Sequence, residues 1–354
     1  MGKYKVAVYA ITKNEEKFVD RWYESMKEAD NIYVLDTGST DKTVSKLKEK
    51  GIIVKTKEIV PWRFDIARNE SLKLIPDDYD ICVCTDLDEI LNKGWREELE
   101  KYWDNSNRIK YIYNWSHDKF NNPNVTFLYQ KIHDRKHYKW KYPVHEILEC
   151  SLKNEKVKEI KSIVLDHYPD PTKSRSSYLQ LLELSYKENP NDERTIHYLG
   201  REYMFHKEYE KCIETLLEHI KISTWDLEKN ASMRYIARSY KELGRYEESE
   251  LWYKKAIKLC PNSKEGYIEL ALLKLIQKDY LNTIYYSLKS KTLSDNGLVY
   301  INEPFCKDNT VDDILSIAYY NIGLKEEALL YIDKALSYDN TDERLINNKK
   351  IFAK

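Results

Sequence analysis

An α/β domain followed by an all-α domain is the fold class that this 354-residue chain predicts, and three observations carry it. Short β-type runs alternate with helical patterns in the first half. Beyond about residue 170 nearly every window has helical periodicity instead. That helical half also repeats itself. The predicted division is 1–170 for the α/β domain and 171–354 for the helical one.

In chain order, YKVAVYAIT (4–12) reads as a strand, and EEKFVDRWYESMKEA (15–29) as a helix with Phe18, Trp22 and Met26 on one face. NIYVLDTG (31–38) is a second strand, followed by a helix that ends at Gly51. IIVKTKEI is a third strand, 64–75 a helix, and YDICVCTD a fourth strand. This alternation argues for parallel strands joined by crossover helices. After a helix near 94–104, the segments RIKYIYNWS, VTFLYQKIHD, KHYKWKY and KSIVLDHY read as further strands.

In the second half, Gly200, Ala237, Ala271 and Ser316 fall into register. Tyr203, Tyr240 and Tyr319 follow three positions later, and Tyr209, Tyr246 and Tyr280 further on. The spacing of 34 residues between Ala237 and Ala271 is the tetratricopeptide length, and the neighbouring units carry insertions. Small residues let paired helices approach, and stacking buries the open face of each repeat. Residues 295–310 read as a loop inserted before the fourth repeat.

Composition narrows the function classes. With 33% charged residues and a net charge of -1, nothing in the whole chain argues for a nucleic-acid partner. No run approaches the roughly 20 apolar residues of a membrane span, and the N-terminus lacks the order of a signal peptide. The six cysteines are scattered; Cys82 and Cys84 alternate on one strand and are expected to be buried free thiols. A soluble, cytoplasmic protein is the expectation.

The polar residues gather where strands end, which is where open parallel sheets bind ligands. Strand one ends in TKNEE (Thr12 to Glu16), strand two in DTGSTD (Asp36 to Asp41) and strand four in TDLDE, with Asp86, Asp88 and Glu89 within four residues. Clustered carboxylates are tolerable beside a cation, and hard oxygen ligands suit Mn²⁺ or Mg²⁺. Gly38 permits a tight turn whose following helix offers free N–H groups.

The order Lys13–Glu16, Asp36–Asp41, Ala67–Asn69, then Asp86–Asp88, all within 90 residues, resembles a family 2 glycosyltransferase of the GT-A fold. The resemblance implies a Rossmann-like mixed sheet followed by a tetratricopeptide-like helical-repeat domain. It implies a DxD motif whose carboxylates hold Mn²⁺ or Mg²⁺ against the diphosphate of a nucleotide-sugar, with a UDP-sugar as the expected donor. Thr12, Asn14, Glu16, Asp36, Ser39, Arg68 and Asp86 are then expected around the donor, with Asp36 at the nucleobase or ribose and Arg68 near base or phosphate. Asp88 is the expected metal ligand. Arg63 stands where related sequences often carry an acidic residue.

YKWKYPVHEIL (138–148) followed by IVLDHYP (163–169) resembles a bacterial subgroup that includes lipopolysaccharide-core-type glucosyltransferases and sublancin-type peptide S-glycosyltransferases. This resemblance makes His167 and His145 expected metal ligands, Glu146 the leading general base, and Lys173 and Arg175 helpers at the departing phosphate. Glu89 and Asp118 are the alternative bases. Inversion at the anomeric carbon is implied. The expected acceptor is a peptide or protein side chain, with a cell-envelope glycan as the alternative acceptor. A tetratricopeptide scaffold carrying a degenerate transferase domain is the reading from another class. The repeats are expected to bind the acceptor or to form a homodimer.

Overall fold

The computed structural model describes residues 2–172 and 176–354, so Lys173 and Arg175 lie outside the described residues. The chain divides into two compact units, Met1–Ser185 and Tyr186–Lys354.

The first unit opens with β1 (Val6–Thr12), whose seven residues are all buried, as an apolar run covered on both faces must be. It continues through α1 (Val19–Met26), β2 (Asn31–Asp36), α2 (Thr43–Glu49), β3 (Ile53–Thr56), α3 (Phe64–Leu72) and β4 (Ile81–Cys84). Strands β3, β2, β1 and β4 are parallel neighbours in that order. The expected apolar face on the first helix is present: Phe18, Trp22 and Met26 are buried, and the Trp22 indole donates to Thr85 Oγ1 at 3.0 Å. The helix begins at Val19 rather than residue 15. Asn14 is left-handed (φ 55°), and the N–H groups of Glu15 and Glu16 are taken by Thr43 and Asp41.

Past β4 the sheet becomes mixed. Along the chain come β5 (Glu89–Leu91), α4 (Trp95–Tyr102), β6 (Arg108–His117), β7 (Pro123–Asp134), β8 (Tyr138–Lys141), β9 (Ile147–Cys150) and β10 (Val157–His167). The eight-stranded order is β3-β2-β1-β4-β7-β6-β10-β5, and β8 and β9 form a separate pair. Two pairings were not legible beforehand. β7 runs antiparallel to β4, with Val83 opposite Ile132, and the three-residue β5 runs antiparallel to β10, with Glu89 opposite His167. Cys82 and Cys84 are free and buried, as expected.

Helix α5 (Tyr178–Glu188) spans the junction of the two units. The second unit pairs α6 (Glu193–Phe205) with α7 (Tyr209–Ile222), α8 (Asp226–Glu242) with α9 (Tyr246–Leu259), and α10 (Lys264–Ile276) with α11 (Tyr280–Lys291). It then pairs α12 (Thr310–Asn321) with α13 (Lys325–Tyr338), and α14 (Glu343–Phe352) packs on α13. The register read from sequence is the packing register. Gly200 is buried, Ala237, Ala271 and Ser316 are fully buried, and Tyr209, Tyr246 and Tyr280 each open a second helix. The insertion before α12 is a loop with a short 3-10 turn at Pro304–Cys306.

Gly200 shows why small residues are needed there. A Cβ at this position would lie 2.4 Å from Leu216 Cδ2 and 2.5 Å from its Cγ. Gly200→Ala is therefore expected to lose about 1–3 kcal/mol to overpacking, although alanine is the better helix former by about 1 kcal/mol. Urea unfolding measures the difference, and a variant as stable as the native protein would contradict the close approach.

Candidate active site

The ends of β1 and β2 are knitted together through the residues expected at the donor. Thr12 Oγ1 donates to Glu15, and the Asn14 N–H donates to Ser39 Oγ at 2.9 Å. Asn14 Oδ1 accepts the Thr40 N–H at 2.7 Å. Glu16 accepts the Lys42 N–H at 2.8 Å, at the start of α2, and its own N–H donates to Asp41 at 3.2 Å. Asp36 is 1% exposed and accepts the N–H groups of Gly38 (3.3 Å) and Ser39 (3.0 Å). Gly38, at φ 107°, takes a turn that a side chain would strain. These side chains thus shape the wall at the sheet's carboxyl edge through contacts with one another.

Arg68, on α3, is the hub of the next cluster. Its Nη2 donates to both oxygens of Asp86 at 3.0 Å, its Nη1 reaches Cys84 Sγ at 3.3 Å, and its Nε donates to Glu146 in a short ion pair. The guanidinium lies 5.1 Å over the Trp140 ring. Asn69 fastens the platform: its amide donates to the Trp140 carbonyl and accepts the Trp140 N–H, both at 2.8 Å. The tripeptide Ala67-Arg68-Asn69 therefore places one cation and ties α3 to β8.

Lys131 was missed by sequence reasoning. Buried on β7, it contacts Glu89 at 2.9 and 3.0 Å and Asp86 at 3.3 Å. Glu89 also accepts from the Tyr113 hydroxyl (2.9 Å) and the Asp86 N–H (2.8 Å). Burial opposes the charge on Asp86, yet Arg68 and Lys131 hold its carboxyl well below the usual carboxylate range. Burial pushes the Glu89 carboxyl up, with Lys131 opposing it. Two of the three clustered carboxylates are thus compensated by internal cations.

The third carboxylate meets the histidine. Asp88 Oδ2 lies 3.4 Å from His167 Nε2, because β5 lays the acidic segment against the end of β10. His167 Nδ1 is 2.9 Å from the Trp115 carbonyl, which can only accept, so this nitrogen carries a proton and Nε2 faces Asp88. Burial works against a charged ring, but Asp88 outweighs it and raises the His167 pKa above its ordinary value. Nε2 and Asp88 Oδ2 thus face each other across a gap that a cation would fill if both residues acted as ligands.

A carboxylate and an imidazole oriented by a carbonyl make a donor pair that would suit a divalent cation such as Mn²⁺ or Mg²⁺. Among the described residues, no three His, Cys, Asp or Glu side chains form a group able to hold an ion. Of the expected trio, Asp88 and His167 stand together, 3.4 Å between Oδ2 and Nε2. His145 sits at φ 50° with its ring edge-on to Tyr178, 6.0 Å between centroids.

The other expected residues also have definite places. Asp118 caps its own turn, accepting the N–H groups of Phe120 (2.9 Å) and Asn122 (2.8 Å). Arg63 pairs with Asp65 at 2.9 Å, so its charge is compensated locally. Past His167, Tyr168 stacks on His117 (4.7 Å, 7°) and Asp170 pairs with Lys17 at 2.7 Å, which anchors the start of that segment.

Residues 7–153 match the family model described as Glycosyl transferase family 2, and residues 231–263 match that of the Tetratricopeptide repeat. Residues 7–153 thus form a glycosyltransferase domain similar to family 2, and a GT-A-like mixed sheet followed by tetratricopeptide-like repeats describes the fold. No curated protein matches the chain. Among solved structures, the chain is similar to the Cut9–Hcn1 hetero-tetramer of the APC/C (12% identity, TM-score 0.41, 50% of this chain and 33% of that one). It is also similar to a thermophilic TPR protein of Thermus thermophilus (16%, 0.37, 50% and 90%). A third is PilF of Pseudomonas aeruginosa (11%, 0.39, 49% and 71%). Among the described residues, no helix is long and apolar enough to cross a membrane.

Proposed function

We propose that this glycosyltransferase moves a hexose from a UDP-sugar to a peptide or protein side chain, with inversion, at a site completed by Mn²⁺ or Mg²⁺. The observation that carries the reading is the Asp88–His167 pair, its imidazole oriented by the Trp115 carbonyl. A cation bound there supplies charge neutralisation at the departing diphosphate. Asp86, held by Arg68 and Lys131, is a preorganised acceptor for a ribose hydroxyl, and the turn at Asp36–Ser39 bounds the nucleobase end. The acceptor heteroatom attacks the anomeric carbon as that carbon's bond to the phosphate oxygen breaks, and the acceptor proton passes to a carboxylate. Lys173 and Arg175 remain our assignment for helpers at the phosphate. Six free thiols suit a reducing cytoplasm.

Glu146 is the base we assign. Glu89 has both oxygens engaged by Lys131, Tyr113 and a backbone N–H, and Asp118 is spent on its turn. Glu146 meets Arg68 through Oε1. Glu146→Gln is expected to lower kcat by about 10²–10⁴-fold while leaving the donor KM within about threefold. A raised donor KM with kcat retained would instead give Glu146 the task of holding Arg68.

A further inference from the structure

The insertion between α11 and α12 lies across the first helices of three successive repeats. Tyr300 stacks on Tyr198 (5.9 Å, 26°), stands 6.5 Å from the His197 ring and under the Arg194 guanidinium at 6.0 Å, and its hydroxyl makes a short hydrogen bond to Glu228. Glu303 accepts from Arg234 at 3.1 Å and from Arg238 at 2.6 Å. Between them Ile301 is 7% exposed, and its carbonyl accepts from Arg234 at 3.4 Å. Upstream, the Asn296 amide donates to Glu265 at 2.9 Å.

Five of the contacted side chains repeat in register. Counted from Gly200, Ala237 and Ala271, they fall six before (Arg194, Glu265), three before (His197, Arg234) and one after (Arg238); Glu228 lies one further turn back on the same face, at nine before, and Tyr198 beside it at two before. Positions three and four apart share one helix face, so equivalent faces of α6, α8 and α10 form a single continuous surface. The segment binds this surface as a ligand would. Its backbone hydrogen bonds are local (Val299 to Gly297, Asn302 to Val299, Cys306 to Glu303), and side chains make most of its links to the helices. The position equivalent to Arg238 one repeat earlier is Arg201, whose buried Nε has no hydrogen-bond partner among the described residues. The surface thus has cationic capacity beyond what the segment uses.

We propose that residues 295–306 are an intramolecular occupant of a peptide groove, closing it to an extended partner segment that carries an aromatic hydroxyl and, three residues later, a carboxylate. Such a segment opens the repeats by displacing Tyr300 and Glu303. The inference does not depend on the donor chemistry of the first unit.

The test uses the full chain and a fluorescein-labelled synthetic peptide of residues 294–308 carrying Cys306→Ser, with binding read by anisotropy. The native chain is expected to bind it weakly, and the Tyr300→Ala/Glu303→Ala chain at least about tenfold more tightly, a gain of about 1.4 kcal/mol. A peptide with alanine at its tyrosine and glutamate is expected to lose that gain. No gain in a variant that keeps native helical circular dichroism and a cooperative melt overturns the proposal. If the variant loses its fold, hydrogen exchange of the native chain decides. Amides of 298–303 exchanging at least about 100-fold faster than those of α8 and α10 support a displaceable segment, and equal protection overturns it.

Discussion

Asp88→Ala is expected to reduce glycosyl transfer by at least about 10³-fold, roughly 4 kcal/mol of transition-state stabilisation. Asp86 and Glu89 cannot stand in for it, because Arg68 and Lys131 already engage their oxygens. Stability is expected to change little, within about 1 kcal/mol, because the lost attraction to His167 is offset by relief of repulsion. Asp88 stands beside Asp86 and Glu89, and these neighbouring charges add to the burial that raises the Glu89 carboxyl. Removing it relieves repulsion and leaves His167 its bond to the Trp115 carbonyl. The check is turnover and melting temperature on one sample. Retained turnover, or lost activity accompanied by unfolding, would argue against a ligand role.

Arg68→Met is expected to damage fold and site together. The Arg68 side chain is 6% exposed and neutralises Asp86 and Glu146, which are themselves largely shielded. Removing one partner of a buried ion pair typically costs about 3–5 kcal/mol, since the other charges stay behind uncompensated. Lys131 still meets Asp86, which sets the expectation at the lower end, about 3 kcal/mol or about 6–12 °C in Tm for a unit of this size. Arg68→Lys is expected to recover less than half of this. One ammonium cannot span Asp86, Glu146 and Cys84 as the planar fork does. Calorimetric melting of the three proteins measures it, and a melting temperature within about 2 °C of native for Arg68→Met would remove Arg68 from its place as the hub.

The physics of each segment decided how much could be read from it. Strands β1, β2 and β4 are apolar runs with no competing interpretation, so they were legible, as were the carboxylates at their ends. The repeat register was legible because close helix packing admits only small side chains at Gly200, Ala237 and Ala271. β5 was not: three residues carry no periodicity, and only the partner strand β10 makes a strand of them. β9 was missed for the same reason of length. Lys131 in YQKIHD looks like the solvent-facing residue of an alternating strand. The antiparallel register of Val83 with Ile132 is what carries it to Asp86 and Glu89. Trp115 acts through its carbonyl, which no side-chain pattern reports. Asp88 and His167, far apart in the sequence, meet because β5 pairs with β10, while His145 takes its place from a left-handed backbone that no side-chain pattern reports.

Calorimetric titration of UDP into the native chain, with Mn²⁺ and again with the ion chelated, tests the central claim most directly. With the ion present, UDP is expected to bind at least about 30-fold more tightly than without it, a difference of about 2 kcal/mol. That difference is expected to vanish in Asp88→Ala. Equal UDP affinity in chelator, or no binding under either condition, would contradict a nucleotide-sugar site completed by a cation at Asp88 and His167.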